Sequence, residues 1–91
     1  MEAGAVLIDV REPSEYEAAH VPEAKLIPLG EVLERRSELP TDSTVYVICA
    51  VGGRSMTAAG ALREAGVDAV SVAGGTNAWM LEGRPIATGI D

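Results

Sequence analysis

The chain contains no phenylalanine, one tryptophan and two tyrosines. A core of stacked rings is therefore excluded, and the interior has to be built from Val, Ile, Leu and Ala. With a single cysteine, no internal disulfide can form. One histidine and no Cys/His cluster leave no site for a metal. Positive charge is scarce: 7 Lys and Arg against 14 Asp and Glu give a formal charge of −7. Such a surface excludes nucleic acid and an anionic membrane as partners, because both present negative charge. No apolar run approaches the ~20 residues that span a bilayer. The start, Met1-Glu2-Ala3-Gly4-Ala5, has none of the basic residues that open a secretory signal, which points to the cytoplasm. What remains is ordinary for a folded protein, at 47% apolar and 23% charged residues. At 91 residues the chain is read as one domain, residues 1–91, with one small core.

Three short apolar runs are rich in β-branched residues: Ala5-Val6-Leu7-Ile8-Asp9-Val10, Val45-Tyr46-Val47-Ile48-Cys49 and Ala69-Val70-Ser71-Val72-Ala73. They are nearly continuous rather than alternating, as expected of parallel strands covered on both faces. Lys25-Leu26-Ile27-Pro28 is a weaker fourth, kept short or at an edge by its proline. Helical patterns fall between them. Residues 13–18 start at a proline with acidic residues in the first turn. Residues 30–39 place Val32, Leu33 and Leu39 among charges, and Pro40-Thr41-Asp42-Ser43 makes a turn. Residues 55–65 carry Met56, Ala59, Leu62 and Ala65 at helical spacing, with Gly66 as the stop. Residues 76–82 end at Gly83. Strand and helix alternate, the pattern of an α/β fold with an open parallel sheet of four to five strands and helices on both faces.

In such a sheet ligands bind beyond the carboxyl ends of the strands. One of those ends delivers Cys49 to the loop Ala50-Val51-Gly52-Gly53-Arg54-Ser55 and then to a helix. Gly52 and Gly53 permit positive φ, so that successive backbone N–H groups can converge on one point. The helix N-terminus and Arg54 add positive charge, and all three effects favour a thiolate, the nucleophilic form. A lone cysteine is otherwise most often inert packing. The other polar strand end carries Asp9 and Arg11, which could shape the electrostatics of the site or form a local ion pair tying loop to helix.

Cys49-Ala50-Val51-Gly52-Gly53-Arg54-Ser55 resembles the active-site loop, Cys-x-x-Gly-x-Arg-Ser, of rhodanese-like sulfurtransferases. Three further segments are similar to that family in order and spacing. They are Leu7-Ile8-Asp9-Val10-Arg11-Glu12-Pro13-Ser14-Glu15-Tyr16, His20-Val21-Pro22-Glu23-Ala24 and Gly74-Gly75-Thr76-Asn77-Ala78-Trp79, the last continued by Gly83-Arg84-Pro85. Members of that family usually carry a strand and a helix before the first of these, and the resemblance leads one to expect neither ahead of Val6. The resemblance implies a Cys49 persulfide as intermediate, with Ala50, Val51, Gly52, Gly53, Arg54 and Ser55 binding the substrate. It implies no metal and no organic cofactor.

The expected reaction moves a sulfane sulfur from thiosulfate or a persulfide to a thiol or to cyanide. The expected partners are thus a small anionic donor and a thiophilic acceptor, with a protein persulfide as a further candidate. Ala50 and Val51 are apolar where members active on thiosulfate often carry a basic or polar residue, so weak use of thiosulfate is expected. His20 has no feature linking it to Cys49 and is read as structural, as is Trp79. Two alternatives stand beside this reading. A phosphatase or arsenate reductase on the same fold needs Cys-x5-Arg, whereas Cys49 to Arg54 is Cys-x4-Arg. A non-catalytic interaction or regulatory module of the family commonly has no such cysteine.

Overall fold

A computed structural model describes residues 5–89. Strands β1 (Val6–Asp9), β2 (Lys25–Leu26), β3 (Val45–Ile48) and β4 (Ala69–Ser71) make one sheet in the order β2-β1-β3-β4. Every pairing is parallel. All four apolar runs therefore pair, and among the described residues the sheet has four strands, the lower end of the expected range. Helices α1 (Pro13–Ala18), α2 (Gly53–Glu64) and α3 (Gly75–Leu81) follow β1, β3 and β4 in the chain.

Side chains alternate across the sheet and fill two cores. Ile8, Val45, Val47 and Ala69 point to one face, where Ala58, Ala59 and Leu62 of α2 cover them together with Ile27, Val32 and Leu39. Leu7 and Ile48 point to the other, against Tyr16 of α1 and the partly buried Trp79 of α3. Burial on both faces explains the absence of polar alternation in the strands. The register matters most for function. Asp9 is level with Ile48, so the segments after β1 and β3 leave the sheet at the same end.

Two sequence expectations need correction. Residues 30–39 do not form one helix; they make two short 3-10 turns, Leu29–Glu31 and Arg36–Glu38, joined by turns. Only Val32 and Leu39 are buried there. Two anchors seven positions apart give no continuous stripe to reward a costly helix nucleus. The apolar stripe of α2 is also rotated. Ser55, Ala58, Ala59 and Leu62 face inward, while Met56 and Ala65 are exposed. A serine on the buried face hid the true phase of the helix. Among the described residues no helix is long and apolar enough to cross a membrane.

Candidate active site

Cys49 follows the last residue of β3 and is almost fully buried, at 1% exposure. The chain then reverses through Gly52, whose φ of 118° is left-handed, and enters α2 at Gly53. Only Gly52 uses the conformational freedom expected of both loop glycines; Gly53 has an ordinary helical start and open space where a Cβ would lie. The turn brings two backbone donors back to the sulfur. Gly52 N–H reaches Sγ at 3.1 Å and Ser55 N–H at 3.3 Å. As a thiol, Sγ donates to Ser55 Oγ at 3.5 Å.

The loop is aimed from behind by α3. Cys49 C=O accepts the Thr76 N–H at 2.8 Å, and Ala50 C=O accepts the Asn77 N–H at 3.0 Å. Both carbonyls are thereby held by α3, which fixes the start of the loop. This approach needs a residue without a side chain. A Cβ on Gly75 would collide with the carbonyls of Cys49 and Ala50, and its φ of 59° is left-handed.

Burial pushes the Cys49 thiol pKa up, the largest single effect, but the Ser55 hydroxyl and the N–H groups of Ser55, Gly52 and Val51 together outweigh it. The net shift is downward, toward the thiolate, as the loop composition leads one to expect. Ser55 Oγ is held in turn by Gly52 C=O at 3.1 Å and Ser71 Oγ at 2.7 Å.

Arg54, expected to add positive charge near the thiol, is itself engaged by an acid. Its Nη1 and Nη2 donate to Glu15 Oε1 and Oε2 at 2.6 and 2.9 Å. That contact holds the Glu15 carboxyl well down, at about 2, and raises the guanidinium in return. Glu15 was legible only as first-turn acid of α1, and nothing in the pattern ties it to a residue 39 positions away. Ser71 did leave a signal, as the one polar residue in an otherwise apolar strand run.

The sequence profile of the rhodanese-like domain matches residues 1–82. The chain belongs to that family. It is 43% identical over 74 residues to the putative sulfur carrier protein YrkF of Bacillus subtilis, covering 80% of this chain and 40% of that protein. It is 39% identical over 79 residues to the putative sulfurtransferase YtwF of the same organism, covering 87% and 77%. Hence it spans less than half the length of one curated relative and about three quarters of the other. The crystal structure of a rhodanese-related protein from Thermoplasma volcanium superposes with a TM-score of 0.86 at 34% identity, covering 96% of this chain and 85% of that one.

The other residues singled out in this rhodanese-like domain lie around the loop rather than on the sulfur. Asp9 and Arg11 form a buried pair: Arg11 Nε and Nη2 reach the carboxylate at 3.0–3.1 and 2.8 Å, and the Arg11 N–H joins at 3.0 Å. Arg11 Nη2 also donates to Ala19 C=O at 2.7 Å, so the pair ties the end of β1 to the end of α1. The local ion pair is thus what forms, although Asp9 still adds to the field felt by Arg54. His20 stacks on Tyr16 with ring centroids 3.7 Å apart, and its Nδ1 lies 2.7 Å from Tyr16 C=O. Trp79 Nε1 donates to Pro85 C=O at 2.6 Å. Both rings are engaged in structure.

Proposed function

We propose that this rhodanese-like domain is a sulfurtransferase that carries a sulfane sulfur on Cys49. The observation that carries the reading is the Cys49 sulfur at the head of α2, which accepts two backbone N–H groups and lies beside the Ser55 hydroxyl, surroundings that favour its thiolate. In the first step the thiolate attacks the outer sulfur of the donor. The donor S–S bond breaks and its electron pair leaves with sulfite, when the donor is thiosulfate, giving Cys49–S–S⁻. In the second, an acceptor thiolate or cyanide attacks the outer sulfur and Cys49 departs as thiolate. No electrons are exchanged with a third party, so the chemistry requires no redox cofactor.

The persulfide places its charge one sulfur farther out. The N–H groups at the start of α2, which have no partner within the helix, then become its donors. Ala50, Val51, Gly52, Gly53, Arg54 and Ser55 are the residues of that cradle. The four-residue spacing from Cys49 to Arg54 favours this small ligand over a tetrahedral phosphate, which needs a wider ring of donors.

The test is intact-protein mass spectrometry after incubation with thiosulfate or polysulfide. One added sulfur atom is expected, removable by cyanide or dithiothreitol and absent in Cys49→Ser. Turnover that persists in Cys49→Ser would overturn the mechanism.

A further inference from the structure

The cation closest in sequence to Cys49 is not free to receive an anion. Glu15 grips the Arg54 guanidinium at two points. Glu15 is itself held, because its Oε1 also accepts the Glu12 N–H at 3.0 Å in the first turn of α1. A second contact, at the first turn of α1, thus helps to hold the carboxylate in place. Residues 50–53 contribute no ionisable side chain. On either side of the turn, Val51 and Met56 present apolar surface, 68% and 67% exposed. The chain as a whole carries −7, a field that repels anions before they arrive.

We propose that Glu15 is a specificity-determining residue: by neutralising Arg54 beside the loop, it disfavours dianionic sulfur donors and favours donors that carry one charge and an apolar group behind the sulfane sulfur, such as thiosulfonates and organic persulfides. The proposal rests on the sulfur-transfer reading and names its donor class. The physical basis is that Coulomb energy scales with the product of charges. Arg54 and Cys49 lie within range of each other's charge, so an anion entering the loop meets the Arg54–Glu15 pair as a unit. The negative member of that pair weighs twice as heavily on a dianion as on a monoanion. Val51 and Met56 offer an alkyl or aryl group the contact they cannot offer an oxyanion.

Thiosulfate and methanethiosulfonate make the matched probes, since a methyl group in the second replaces one charged oxygen of the first. Both react by the same balanced step. Cys49 thiolate takes the sulfane sulfur, and the S–S bond breaks to release sulfite or methanesulfinate with the electron pair. Glu15→Gln keeps an acceptor oxygen for Arg54 and for the Glu12 N–H while removing the charge. At low ionic strength this substitution should raise kcat/KM about fivefold for thiosulfate and about twofold for methanethiosulfonate, and the gain in their ratio should shrink in high salt. An equal change for both donors, or no change, overturns the proposal. A measurement on the unaltered protein guards against a variant that fails to fold. The wild-type kcat/KM for thiosulfate should not fall as salt is added; a steep fall would mean that a free cation captures the dianion, and the proposal fails. If the wild-type protein takes sulfur from neither donor, it is the sulfur-transfer reading that fails instead.

Discussion

The hydroxyl of Ser71 lies 2.7 Å from that of Ser55, which in turn stands 3.5 Å from the sulfur of Cys49. Strand β4 thus reaches the candidate nucleophile through two hydroxyls in series. When Cys49 ionises, Ser55 can turn its proton to the sulfur while Ser71 donates to Ser55. Ser55→Ala should therefore raise the midpoint of alkylation rate against pH, from a wild-type value held below the ordinary thiol range. Ser71→Ala should give a smaller rise that vanishes in the Ser55→Ala background. Equal shifts in both backgrounds would show that Ser71 does not act through Ser55.

The carbonyls of Cys49 and Ala50 occupy the space a Gly75 side chain would need. Gly75→Ala should cost about 2–4 kcal/mol, from left-handed strain plus displacement of the loop, and sulfur loading should fall with it. Gly53→Ala is the contrast, since its φ is ordinary and its surroundings are open. It should stabilise by about 0.4–1 kcal/mol, through a less flexible unfolded chain. Urea unfolding of the two variants checks both signs.

Asp9 is fully buried against Arg11. Asp9→Ala leaves a buried guanidinium without its counter-charge, at a cost of about 3–5 kcal/mol. For a domain whose whole stability is of order 5–15 kcal/mol, that should bring thermal unfolding down sharply. Glu38→Gln, which touches the half-buried Arg35 and the exposed Lys25, should change stability by less than about 1 kcal/mol. Similar losses in the two variants, followed by circular dichroism, would argue against a structural role for the Asp9–Arg11 pair.

Arg54 holds the Glu15 carboxyl down from its usual 4.5 to about 2. A carboxyl lowered in the folded state adds stability above its unfolded pKa and loses it as pH falls through the folded one. The contribution of Glu15 is therefore complete above pH 4.5 and fades between there and about 2. With both partners about a third exposed, it is modest in size. An NMR titration should find Glu15 well below the ordinary range and should find it restored to that range in Arg54→Gln. An unshifted wild-type Glu15 would mean the ion pair does not persist in solution.

The α/β alternation, the four strands and the Cys49 loop were all legible in the amino-acid order, because each depends on neighbours within a few positions. Burial on both faces writes itself as an unbroken apolar run, and a strand end, a left-handed glycine and a helix start fit within the eight residues from Ile48 to Ser55. The Asp9–Arg11 pair was readable for the same reason, at a separation of two. The phase of α2 was not, since Ser55 occupies a buried position that only Cys49, Gly52 and Ser71 together make hospitable to a hydroxyl. Nor was the failure of residues 30–39 to form a helix, which turns on how little apolar surface the fold leaves them to cover. The contacts that set the character of the site join separate strand–helix units: Gly75 against Cys49, Ser71 against Ser55, and Glu15 across 39 residues to Arg54. Local order determined which residue is the candidate nucleophile. Parallel packing, which brings the ends of β1, β3 and β4 together, decided what surrounds it and where the nearby positive charge is directed.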